Sequence, residues 1–85
     1  MVKLLDMWAS WCQPCRIMNP IIDEIEKEFV GKVEVIRINV DEKPDEAQKY
    51  GVMSIPTYII LKDDREVGRK IGVTAKQELL DLLKS

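Results

Sequence analysis

A chain of 85 residues, 46% hydrophobic and 33% charged with a net charge of −2, has the composition of one globular domain around one core, which excludes a disordered chain. Its interspersed charges offer no basic footprint for nucleic acid or an anionic membrane, and its apolar runs fall far short of the roughly 20 residues a membrane helix needs. Lys3 and Asp6 interrupt the opening stretch, so no secretory leader is legible and a cytoplasmic protein is expected.

Val2 to Trp8 is apolar on both alternating faces, as an interior strand covered from both sides would be. Asp6 is the anomaly: a carboxylate there loses its hydration, which raises its pKa unless a partner compensates. The only two cysteines follow as Cys12-Gln13-Pro14-Cys15. The loop they close is too short to remove much unfolded-state entropy, which leaves a redox or a metal role rather than a staple. Histidine is absent, and with it the commonest metal ligand and the usual acid-base residue. From Cys12, the residues Cys15, Met18, Ile22, Ile25 and Phe29 recur at intervals of three and four, with Arg16, Asn19, Asp23, Glu26 and Lys27 on the other side. That pattern predicts an amphipathic helix of about four turns. Pro20 should kink it and Gly31 should stop it.

Val33 to Val40 is β-branched and reads as a second strand, parallel to the first in a right-handed βαβ unit because a helix connects them. Pro44 to Tyr50, closed by Gly51, reads as a short helix. Thr57 to Leu61 and Glu66 to Ile71 flank the polar Lys62-Asp63-Asp64-Arg65 and predict a hairpin. Thr74-Ala75-Lys76-Gln77 fits a capping box ahead of a helix carrying Leu79, Leu80, Leu82 and Leu83. The order is β-α-β-α-β-β-α, without repeats or linkers, and residues 1–85 are expected to form one domain.

The residues Asp6 to Cys15, Pro20, Asn39-Val40-Asp41, Tyr50-Gly51-Val52, Ile55-Pro56-Thr57 and Ile71-Gly72, in that order, resemble the thioredoxin family over essentially the whole chain. The resemblance implies an α/β thioredoxin-like fold with a four-stranded mixed sheet flanked by helices. The chain starts at what looks like the family's second strand, so the usual N-terminal strand and helix are lacking. Gln13-Pro14 replaces the family's Gly-Pro between the cysteines, which leaves the redox potential open.

Cys12, at the helix start, faces unpaired N–H groups and the positive end of the helix dipole, so it is expected to be the attacking thiolate; Cys15, on the buried stripe, is expected to resolve the mixed disulfide. The resemblance makes Asp6 the buried base that takes the Cys15 proton. It puts Arg37 where the family often has a lysine near that carboxylate; arginine could hold Asp6 ionised but could not shuttle a proton, and Arg37 could equally be a solvated strand residue. It further implies that Ile55-Pro56 is cis, that Pro56 faces the cysteines and keeps stray metals away, and that Ile55 can pair with an extended substrate. Trp8 is expected to pack under the active-site loop, with Trp11, Ile55, Gly72 and Val73 forming a flat apolar surface around Cys12.

The implied activity is reduction of protein disulfides by dithiol–disulfide exchange. No cofactor is expected beyond the Cys12–Cys15 couple. The expected partners are disulfide-containing proteins and a thioredoxin reductase, acting on a monomer. The competing readings are a glutaredoxin-like or more oxidising exchange protein, a binding module with an idle dithiol, and a dimer whose four cysteines hold zinc or an iron–sulfur cluster.

Overall fold

Strand β1 (Val2–Trp8) lies inside a four-stranded sheet of order β2-β1-β3-β4, and the computed structural model describes this fold over residues 1–84. Helix α1 (Gln13–Glu28) carries the chain over to β2 (Val33–Asn39), which runs parallel to β1 with Asp6 opposite Arg37. After α2 (Pro44–Lys49), β3 (Thr57–Lys62) returns antiparallel to β1, and β4 (Arg65–Ile71) completes a hairpin ahead of α3 (Lys76–Lys84). The expected order of elements and the mixed four-stranded sheet are both present.

Each face of the sheet has its own core. Leu4, Tyr58 and Ile60 pack against Met18, Ile22 and Ile25 of α1 and Leu79 and Leu83 of α3. Leu5, Met7, Ile38, Ile59 and Leu61 pack on the opposite face with Tyr50, Val52 and Ile55 from the segment after α2. The period-2 alternation of β1 thus divides Leu4, Asp6 and Trp8 from Leu5 and Met7.

Three local expectations are corrected. The regular part of α1 ends at Glu28, and Gly31 (φ +82°) shapes the turn into β2 instead of stopping the helix itself. The capping box before α3 does not form: Thr74 Oγ1 donates to the Gly72 carbonyl at 3.0 Å, while Gln77 Nε2 donates to Asp81 Oδ1 at 2.8 Å. The helix starts two residues after Thr74, so its hydroxyl serves the preceding turn. The β3–β4 turn is tighter than the polar tetrapeptide implied, with Asp63 (φ 50°) and Asp64 (φ 67°) both left-handed, as in a type I′ hairpin.

Candidate active site

At the end of β1 the chain turns through Ala9–Trp11 and enters α1 at Cys12, which is the N-cap residue of the helix with extended backbone angles (φ −89°, ψ 108°). Pro14 fits the first turn because its missing N–H would have had no partner there. The amide of Cys15 donates to Cys12 Sγ at 3.2 Å, so the sulfur stands where a capping oxygen usually would. Cys12 and Cys15 are joined as a disulfide with Cα atoms 5.3 Å apart, and each is 3% exposed. Arg16 braces the turn from the far side by donating to the Ser10 carbonyl at 2.9 Å.

Two further segments close on this turn. Ile55-Pro56 is a cis peptide, Pro56 is fully buried, and its carbonyl accepts from the Gly72 amide at 2.8 Å. Gly72 takes φ +84°, a conformation that side-chain-bearing residues rarely adopt, so glycine suits this approach to the proline. Ile55 also packs with Trp8 and Val40 against Ala9, Cys12 and Cys15. Trp11 stays 67% exposed, yet its indole N–H is fixed to Asp41 Oδ2 at 2.8 Å. Asn39 Oδ1 in turn holds the backbone of Asp41 and Glu42. Between Trp11 and the 52–55 segment lies an apolar groove of about 440 Å³, floored by Val40, Ala47 and Val52 and edged by Met53.

Asp6 lies further down β1, on the face covered by α1. It is 2% exposed and its Oδ1 has no hydrogen-bond partner. Burial pushes its pKa from the ordinary 3.8 up to about 6, against a smaller pull downward from Arg37. On β3, Tyr58 is Asp6's register partner; burial, and then the Asp6 charge, push its hydroxyl well above the usual tyrosine range. Arg37, the β2 partner, makes its hydrogen bonds elsewhere: Nη2 donates to Asp23 Oδ1 at 2.7 Å and to Glu26 Oε1 at 3.2 Å.

Of the residues expected at the site, Cys12, Cys15 and Ile55 share one cluster, Pro56 follows Ile55 and is hydrogen-bonded to Gly72, and Trp11 lines the groove. Val73 is 60% exposed beside Gly72, and Asp6 lies two residues below Trp8 on the same strand. The sequence reading missed Met53, which is 97% exposed on the groove edge, and the clasp of Asp41 on Trp11. Asp23 and Glu26, expected only on the side of α1 away from its apolar stripe, bind Arg37 of β2.

A sulfur pair that straddles a helix N-terminus and faces a cis-proline loop on a mixed sheet defines a thiol–disulfide exchange site. The comparisons with known proteins agree. The thioredoxin family model matches residues 1–85. Thioredoxin from Rickettsia conorii is 49% identical over 78 residues, covering 92% of this chain and 74% of that protein. A mutant thioredoxin from Halobacterium salinarum superposes with a TM-score of 0.90 at 31% identity, over 98% of this chain and 72% of that one. Fasciola hepatica thioredoxin gives 0.89 at 32% identity, over 98% and 78% of the two chains. The chain belongs to the thioredoxin family, and its activity is that of a protein-disulfide reductase working through a dithiol–disulfide couple.

Proposed function

We propose that Cys12 is the attacking sulfur, Cys15 the resolving sulfur and Asp6 the base for the second step. The observation that carries this assignment is the asymmetry between the two sulfurs: Cys12 Sγ caps the helix and receives the Cys15 amide, whereas Cys15 sits on the buried stripe of α1. A thiolate at Cys12 is stabilised by that N–H and by the helix dipole. It attacks one sulfur of a target disulfide, and the other target sulfur leaves as a thiolate. Asp6 then takes the proton of the Cys15 thiol. The Cys15 thiolate attacks Cys12 Sγ, expels the target's remaining sulfur and restores the Cys12–Cys15 disulfide. Two electrons pass to the target, and no cofactor is required beyond this couple.

Targets are extended segments around a disulfide. Their backbone pairs with Ile55 ahead of the cis Pro56, and their apolar side chains lie against Trp11, Gly72 and the groove. A thioredoxin reductase restores the dithiol, and the protein acts as a cytoplasmic monomer. No described helix is long and apolar enough to cross a membrane.

The test is insulin disulfide reduction together with trapping. The Cys12→Ser variant should lose turnover entirely, whereas Cys15→Ser should accumulate a mixed disulfide through Cys12. Trapping through Cys15 in the Cys12→Ser protein would reverse the assignment, and unimpaired turnover in either variant would mean that the dithiol is idle.

A further inference from the structure

The cation nearest Asp6 is turned away from it. Arg37 is the β2 register partner of Asp6 and lies on the same sheet face, one strand spacing away. An arginine is long enough to lay its guanidinium on a carboxylate across that spacing, about 5 Å. Its Nη2 instead donates to Asp23 Oδ1 at 2.7 Å and Glu26 Oε1 at 3.2 Å, both on α1 at the protein surface. The Arg37 side chain is 32% exposed, while Asp6 beneath it is 2% exposed with Oδ1 unpartnered.

We propose that Asp23 and Glu26 are positioning residues that hold the Arg37 guanidinium off Asp6 and so keep that carboxylate able to accept a proton. The proposal rests on Asp6 being the base for Cys15. Were the tether absent, Arg37 would turn inward and donate to Asp6. Arginine does not give up its proton at any working pH, so such a pair would lock the carboxylate in its ionised form with little remaining basicity.

The other groups on this side offer no substitute. Tyr58 on β3 is neutral at working pH. Lys70, next to Tyr58 on β4, lies one strand further away and is paired with Glu78 of α3 at 3.5 Å. Arg16 of α1 is committed to the Ser10 carbonyl, and Cys15 carries no charge until its own proton leaves.

The experiment is an NMR titration of the Asp6 side-chain carboxyl in the oxidised protein, where neither cysteine titrates. In Asp23→Asn/Glu26→Gln the Asp6 midpoint should fall by about one pH unit. In Arg37→Met it should rise. Adding Asp23→Asn/Glu26→Gln to Arg37→Met should change nothing further. An unshifted midpoint in the double variant would overturn the tether. So would an equal fall in the Arg37→Met background, because the two carboxylates would then act by their own charge. The readout stands apart from catalysis: if Asp6→Asn left the release of a trapped target unslowed, the base assignment would fail while the tether still held.

Discussion

The two faces of β1 carry opposite kinds of residue on one backbone. Toward α2, Leu5 and Met7 enter an entirely apolar cluster in which no polar atom is stranded. Toward α1, Leu4 is followed by Asp6 and Trp8, whose Oδ1 and Nε1 are buried without partners. Burial of an unpaired polar atom costs about 1–3 kcal/mol, so the second face forgoes stability that the first one keeps. That face is also the one leading to the cysteines. The strand is held in place by its inert side, which allows the other side to carry a carboxylate in the wrong solvent.

The contrast is sharpest between adjacent residues. Leu5→Ala removes a side chain that is 3% exposed from the apolar cluster and should cost about 2–5 kcal/mol in chemical denaturation. Asp6→Asn, one residue along, should do the reverse. The folded protein holds the Asp6 proton up to about pH 6, against an ordinary value of 3.8, so folding takes up a proton between these limits. Wild-type stability therefore falls as pH rises through that window, by about 3 kcal/mol in all. The Asn variant carries no such charge. Its advantage should be near zero below pH 4, grow between pH 4 and 6, and remain constant above. A pH-independent difference in urea midpoint would break the comparison, because it would trace to hydrogen bonding or packing instead of the charge. Kinetically, release of the target from wild type should slow as pH drops below about 6, where Asp6 becomes protonated, and the Asn variant should lose that dependence.

Much of this was legible in the sequence for a physical reason. The alternation of Val2–Trp8 and the three-and-four spacing of Cys15, Met18, Ile22 and Ile25 follow from backbone geometry alone, and these elements form as read. Asp6 was conspicuous because a carboxylate is improbable in such a strand. What escaped were long-range side-chain choices. Nothing local to Arg37 indicates that it reaches Asp23 rather than Asp6, and nothing local to Thr74 indicates that its hydroxyl turns back to Gly72. Met53 escaped because an exposed methionine is unremarkable until the groove beside it exists.

The smallest effect tests how closely the helices sit on the active face. Gly68 of β4 belongs to that face, and a Cβ built there would stand 2.6 Å from Leu82 Cδ2 of α3. Gly68→Ala therefore drives Leu82 outward. Alanine recovers part of the loss, because it restricts the unfolded chain more than glycine does. The net cost should be about 1 kcal/mol. Hydrogen exchange locates it: amides of α3 should lose protection, while those around Ile36 and Ile38 of β2, which pack in the opposite core, should not. Uniform loss of protection across the chain would mean that the two faces unfold as one unit and that the division of labour between them is chemical but not mechanical.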